Sequence, residues 1–586
     1  MKHPSTPNFR YKTLPIRTDR EVKYMVVLNE ILIKPEWWIK LKDEAIAAKW
    51  KGEVRGGITA LLRPGGGELN DVYGNAEDTK ENLVAHVVDS EFVNQVTDYL
   101  FQELHYIANN RLITQKNGAI ISPTSSHGVF ISDSLIPRDM VSQLAQHAAS
   151  VEAISFTKAK WHEGSDGKVL DLIHPSDYCL VYGRSHQRER ITQPVGFKVL
   201  EYKGPNGGDI SRKFQWLPSE FKVNGEGNVS IRSYINNLNR RQCPELQSSI
   251  LSVFETMVPM FELALGSLQS VPVNRIRAPL ANNAYQLSQG RWELDEYLRD
   301  KYGANVNLND QALQHSTLYD DDYDEFVDNL MERISRRPVN IPGLPTELSS
   351  LNDSEVCRFS LAGRNLQVIV KMASIHLTPE KPVFNGGSWH LEGMENESIA
   401  ATGILYYSMD NITSSRLTFR NVHESDRDGV FVYEQSDFGG LEKVFNFTNE
   451  VSTNVQVCGQ IEARENRCVV FPNYLQHKVE DFELLDKTQP GHRKILAFFL
   501  VHPDFNVTST ADVGMQQLEW LAAELYGICG LGSKLPLEVV RLIAGFTRAT
   551  LTEKQAQRVA HLVMEERKNT PKDGYANVQS IVLCEH

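Results

Sequence analysis

Gly386-Gly-Ser-Trp-His-Leu-Glu392 is the stretch on which the fold turns. His390 and Glu392 stand one residue apart, so on an extended backbone both side chains point to one face, because strand side chains alternate. The paired glycines before them suit a loop that feeds a strand at the mouth of a barrel. Further along, Phe471-Pro-Asn-Tyr-Leu-Gln-His477 closes a strand-and-turn segment on a second histidine, and the next strand-like run opens with Arg493. Two imidazoles and one carboxylate make a facial set for non-haem Fe(II), and a planar guanidinium suits one end of a dicarboxylate.

The sequence around this stretch is β-like. Residues 366–370, 400–407, 429–433, 468–471 and 494–501 are short runs of β-branched and aromatic residues separated by turn residues. Several such runs without helices between them point to an antiparallel sandwich or barrel of the jelly-roll type. On the last run, Arg493, Ile495, Ala497 and Phe499 share one face while Lys494, Leu496 and Phe498 share the other. An arginine on an inner face calls for an anion. Lys371, at the end of Val368-Ile-Val-Lys371, is a second carboxylate partner, weighed against a solvated strand lysine. Tyr406, Tyr407 and Trp389 either shape a pocket or fill a core. His162 and His174 read as structural histidines rather than ligands.

Working outward, residues 1–120 read as mainly helical. Ser90 caps a helix whose apolar positions Val93, Val96, Leu100, Leu104 and Ile107 recur at three- and four-residue steps. Residues 121–350 form a mixed α/β region packed on the core. It opens with a helix from Pro137 that turns Met140, Leu144 and Ala148 to one side, followed by strand-like runs at 169–173, 196–200, 214–217 and 229–235. A longer helix carries Leu246, Ile250, Val253, Met257 and Phe261 on its stripe, with Pro259 expected to bend it. The acidic run from Asp320 reads as solvated surface, and Pro338, Pro342 and Pro345 mark a boundary. Residues 351–512 are the β-rich core. Residues 513–586 are helical again, with Thr552 and Gln555 forming a capping box. The expected fold class is α+β, a double-stranded β-helix (jelly-roll, cupin-like) with helical N-terminal and C-terminal extensions.

Composition narrows the setting. A chain of 586 residues exceeds one ordinary core, and 41% hydrophobic with 23% charged residues is the balance of a soluble globular protein. The net charge of −13 disfavours nucleic acid as a partner. The 7 cysteines are odd in number, scattered and free of C-x-x-C spacing, which indicates reduced thiols in a cytoplasmic or nuclear setting. The N-terminus lacks the apolar stretch of a secretory leader, and no long apolar run predicts a membrane span.

Blocks spread over most of the chain carry a resemblance. Trp161-His-Glu-Gly-Ser-Asp166, Leu170-Asp-Leu-Ile-His-Pro-Ser176, Phe214-Gln-Trp-Leu-Pro-Ser-Glu-Phe221, Ile375-His-Leu-Thr-Pro-Glu-Lys-Pro382, Ser388-Trp-His-Leu-Glu-Gly393 and Gly491-His-Arg-Lys-Ile-Leu496 resemble a large, mainly fungal family catalogued as a domain of unknown function. The β-rich part of that family looks like the double-stranded β-helix of Fe(II)/2-oxoglutarate oxygenases. The resemblance implies that His390, Glu392 and His477 hold Fe(II) and that Arg493 holds 2-oxoglutarate, with O2 at a remaining iron position. It further implies hydroxylation, or demethylation through hydroxylation, of an unidentified substrate (a protein side chain or a small molecule), releasing succinate and CO2. Glutamate stands where the wider superfamily more often has aspartate. Tyr234, Asn236 and Asn237 lie in a further family-like block and either face substrate or build a turn. Two readings stay open beside this one: a cupin-like metalloenzyme that does not use 2-oxoglutarate, since two histidines and a glutamate also suit zinc, and a catalytically silent scaffold that binds a protein partner.

Overall fold

The apolar periodicities of the sequence become two kinds of surface: helices with one buried face, and strands buried on both. A computed structural model describes residues 14–61, 90–188, 197–201, 210–270, 272, 274–276, 343–344, 358–423, 439–448, 451–528, 531–569 and 581. The acidic run from Asp320, the three prolines at 338, 342 and 345, and the strand-like run 429–433 lie outside those residues. What is described is α+β, helices packed on antiparallel sheets.

The larger sheet contains β1 (Ile120–Pro123), β2 (Phe130–Ser132), β3 (Val169–Ile173), β4 (Ser219–Val223), β5 (Val229–Ile231), β6 (Asn365–Leu377), β7 (Ile399–Asp410), β10 (Cys468–Pro472) and β12 (Gly491–Val501). Its order is β1-β2-β10-β7-β12-β6-β4-β5, with Ile113–Thr114 beyond β1 and β3 paired to β6. A smaller sheet runs β9-β8-β11, made of β8 (Arg416–Val422), β9 (Val455–Glu462) and β11 (Gln476–Val479). From β6 onward the chain therefore shuttles between the two sheets. The run expected at 229–235 stops at Ile231, where the chain leaves the sheet for a turn.

The faces of β12 follow the alternation expected from its sequence. Leu496, Phe498 and Leu500 join a core shared with Phe254, Met257 and Phe261, whereas Ala497 and Phe499 join a second core between the sheets, with Tyr406, Phe419 and Phe471. The first core is closed by α4 (Arg138–Thr157) and α5 (Pro244–Ser267), whose predicted apolar stripes are buried there. Helix α5 continues through Pro259 and presses close to β7: a Cβ on Gly403 would lie 2.6 Å from the Phe261 ring. Among the described residues, Pro244–Ser267 alone is long and apolar enough to cross a bilayer, and here those apolar side chains are spent on the sheet.

Three N-terminal helices, α1 (Asp19–Leu32), α2 (Glu44–Leu61) and α3 (Ser90–Asn110), build their own core around Trp37. Helix α1 also docks on the smaller sheet, where Asn29 Nδ2 donates to the Gln460 carbonyl at 2.5 Å. At the other end lie α6 (Leu518–Ile528), α7 (Leu537–Phe546) and α8 (Glu553–Asn569). The expected capping box starts α8: Gln555 Oε1 accepts the Thr552 N–H at 3.0 Å and Thr552 Oγ1 accepts the Gln555 N–H at 3.3 Å. Val563 of this helix is fully buried in the core between the sheets.

Candidate metal centre

His390 and Glu392 are not in a regular strand, as the one-residue spacing suggested, but in an extended segment held by a single bridge. His390 and His477 exchange both backbone hydrogen bonds, at 3.2 and 3.0 Å. This reciprocal pair brings the two rings side by side, with centroids 4.4 Å apart. Glu392 Oε1 lies 3.8 Å from His390 Nε2 and 3.5 Å from His477 Nε2. The three ligand atoms thus converge, all within 4.8 Å of one another.

Local bonds fix each group. His390 Nδ1–H donates to the Ser388 carbonyl at 2.8 Å, which leaves Nε2 as the nitrogen that faces Glu392. The Glu392 backbone is clamped by fully buried Asn473, whose Oδ1 accepts the Glu392 N–H at 3.0 Å and whose Nδ2 donates to the Glu392 carbonyl at 2.9 Å. His477 is buried with its ring edge-on to Phe471, 4.8 Å between centroids. Burial pushes the Glu392 carboxyl up, but the two imidazoles beside it outweigh that and hold it well below the usual carboxylate range. Burial depresses the His390 ring, but its hydrogen bond and charge contact with Glu392 and its bond to the Ser388 carbonyl together outweigh that and lift it above the ordinary histidine value. His477 is displaced downward by burial and by its neighbour His390. The donor set is one neutral-capable nitrogen, a second buried nitrogen and an ionised oxygen, which suits a borderline divalent metal.

Arg493 is buried on the inner face of β12, as the alternation predicts. Its Nη1 donates to Ser415 Oγ at 3.2 Å, and its guanidinium lies over Tyr406 at 4.9 Å from the ring centre. Arg493 Nε and Tyr406 Oη are both buried without a hydrogen-bond partner. The guanidinium is close enough to Tyr406 to act on its hydroxyl, and a buried guanidinium Nε is costly unless an acceptor such as a carboxylate meets it. Lys371 stands opposite Ala497 across the β6–β12 ladder, so it too faces the space between the sheets. It is near enough to act electrostatically on both His390 and Asp171.

The remaining sequence candidates divide. Tyr406 packs in the core between the sheets under Arg493, but its neighbour Tyr407 packs in the helix-side core. Trp389 points away, under the cations of Arg420 and Lys478 at 4.6 and 5.2 Å. Tyr234, Asn236 and Asn237 build a turn: their side chains are spent on the carbonyls of Val513, Asp177 and His174, and Asn237 takes the left-handed φ of 67°. His162, Asp171 and His174 do gather, with ligand atoms within 4.8 Å. There, however, His162 Nδ1 is bonded to Asp171 Oδ2 at 2.9 Å and His174 Nδ1 accepts the Ser176 N–H at 3.2 Å. Asn473 and Ser415 were not singled out from the sequence. Asn473 lay in plain view between Pro472 and Tyr474, but nothing local marks an asparagine as a clamp.

Comparison with known proteins adds the following. The family described as "Protein of unknown function (DUF4246)" matches residues 94–524, and "Domain of unknown function DUF4246, N-terminal" matches residues 1–53. No curated protein matches. Solved structures with partial likeness include IDO from Bacillus thuringiensis (9% identity, TM-score 0.16, 32% of this chain and 61% of that one). Another is the Fe(II)/(alpha)ketoglutarate-dependent dioxygenase TqaL (12% identity, TM-score 0.16, 25% and 47%). A third is a bsmA homolog from Methylobium petroleophilum PM1 (9% identity, TM-score 0.14, 33% and 56%). The chain spans less than two thirds of the length of each.

Proposed function

The chain belongs to the family described as "Protein of unknown function (DUF4246)", and from the site built above we propose that it is an oxygenase dependent on Fe(II) and 2-oxoglutarate. The observation that carries this reading is the convergence of His390, Glu392 and His477, with Arg493 buried over Tyr406 of the core between the sheets and its Nε without a hydrogen-bond partner. The strand order supports it: β6, β7, β10 and β12 lie together in one sheet and β8, β9, β11 and the His390 segment in the other, the alternation of a double-stranded β-helix. Residues 351–512 would be the catalytic core.

In this reading His390 Nε2, Glu392 and His477 hold the iron, Arg493 and Tyr406 take the distal carboxylate of 2-oxoglutarate, and Lys371 is a further carboxylate partner. Iron and 2-oxoglutarate together supply the oxidising power that places one atom of O2 in a C–H bond of the substrate, with succinate and CO2 released. The protein's part is placement. The Ser388 carbonyl keeps the His390 Nε2 lone pair free, and Asn473 holds Glu392 in reach despite its extra methylene. Phe419, Phe471 and Phe499 keep the space between the sheets apolar, which strengthens each charge contact inside it.

The test is succinate formation by the purified protein from 2-oxoglutarate, with and without Fe(II). Turnover should require Fe(II) and vanish in His390→Ala. Equal turnover in that variant would sink the proposal, and activity untouched by Arg493→Ala would favour a metalloenzyme that does not use 2-oxoglutarate.

A further inference from the structure

Glu392 is joined to β7 by a short link, residues 393–398, and that link is held from outside by the C-terminal helix. Gly393 turns the chain with φ +66°, and a Cβ there would lie 2.6 Å from Glu397 Oε2. Glu397 is fully buried, and both of its oxygens are in use. Oε2 accepts the Met394 N–H at 2.6 Å, while Oε1 accepts the Trp216 N–H and the Arg567 guanidinium, each at 2.5 Å. Arg567 belongs to α8, and its guanidinium also stacks on Trp216 at 3.7 Å from the ring centre. Trp216 in turn stacks on Phe499, on the inner face of β12. Among the described residues Arg567 is the cation paired with Glu397.

Each end of the link is pinned elsewhere: Asn473 Nδ2 donates to the carbonyls of both Glu392 and Ile399. The middle is tied through Glu397 and through Asn396, whose Nδ2 donates to the Phe214 carbonyl and whose Oδ1 accepts the Ser211 N–H; the Glu397 carboxylate is where α8 reaches it. A fully buried carboxylate without its cation is costly, and the side chain is driven toward water. A Glu397 carboxylate displaced in this way would give up the N–H groups of Met394 and Trp216, and the link would loosen beside Glu392.

We infer that Arg567 is a positioning residue of the metal centre, a strut from a helix outside the segments that match the family, which fixes the Glu392 link through Glu397. This rests on the metal reading of His390, Glu392 and His477.

The test titrates Co(II) into the full-length protein and follows its absorption spectrum, with folding checked by circular dichroism. Wild type should bind one Co(II), and His390→Ala should abolish that site. Arg567→Ala should weaken Co(II) binding by about tenfold to a hundredfold, the range for outer partners of metal ligands, and Arg567→Lys by less. Arg541→Ala, which breaks the exposed Arg541–Glu519 pair in the same C-terminal region, should bind like wild type. A folded Arg567→Ala protein with Co(II) affinity within about twofold of wild type would overturn the strut alone. Wild type and His390→Ala binding Co(II) alike would overturn the metal reading, and this inference with it. Where Arg567→Ala does not fold, hydrogen exchange of metal-free Arg567→Lys decides: the Met394 amide should lose protection while the β12 amides keep theirs, and unchanged protection at Met394 would overturn the strut.

Discussion

Two clusters in this molecule have nearly the same composition and different hydrogen bonding. His390, Glu392 and His477 gather two imidazoles and a carboxylate, and so do His162, Asp171 and His174. In the first, His390 gives its Nδ1–H to a carbonyl, so Nε2 is free to bind a cation. In the second, His174 receives the Ser176 N–H on Nδ1, which puts the proton of the neutral ring on Nε2, and His162 is tied to Asp171. The two clusters therefore differ in which group meets the far side of each imidazole, and under the proposed function that difference would decide which of them holds a metal. Burial sharpens the contrast. It pushes His174 down to about 3, so that ring stays neutral without a metal, whereas Glu392 lifts half-exposed His390.

The comparison breaks most directly on metal content. After dialysis against Co(II), His390→Ala should lose the bound ion, a larger effect than the roughly tenfold to hundredfold loss from outer partners, and His174→Ala should keep it. Elemental analysis of both decides, and loss of the metal in His174→Ala alone would invert the assignment. Next in size, Arg493→Ala should raise the 2-oxoglutarate needed for half-maximal succinate formation by about thirtyfold or more, the cost of about 2 kcal/mol for losing one partner of a buried charge pair. Lys371→Ala should raise it less. The reverse order would make Lys371 the main carboxylate partner.

Smaller effects report on the second cluster. His174 has a folded value of about 3 against about 6.5 unfolded, so below about pH 6.5 the unfolded chain binds a proton that the folded one does not. Stability should therefore fall as pH drops from about 6.5 toward 3, and His174→Gln should flatten that limb by up to about 1.4 kcal/mol per pH unit. Urea titrations between these pH values measure it, and an unchanged slope would show that the ring is not kept neutral. Asp171→Asn should cost about 1–3 kcal/mol through the lost charge-assisted bond to His162, with metal content unchanged.

Much of the frame was legible locally. The two-residue period sorted β12 into Arg493, Ile495, Ala497 and Phe499 on one face, and the structure buries Ala497 and Phe499 between the sheets and Leu496 and Phe498 under α5. Helical spacing likewise found the buried faces of α3, α4 and α5, and the Thr552–Gln555 box needed only four consecutive residues. Contacts between residues far apart in the chain were not legible. Trp389 shares its segment with His390, yet it belongs to Arg420 and Lys478 on the far face, and Tyr407 parts from Tyr406 by the same alternation. Within its own segment Arg567 is only a basic residue in the last turn of α8; its contacts with Glu397 and Trp216 come from far along the chain.

The sequence by itself determined which residue types were on hand, the period of each element and hence the side of the strand on which Arg493 must lie, because those depend on neighbours within a few residues. Only the tertiary structure decided which imidazole nitrogen is free, which carboxylate is clamped and which helix braces the link behind Glu392. Those depend on single hydrogen bonds between segments that the chain brings together only when the two sheets close on each other.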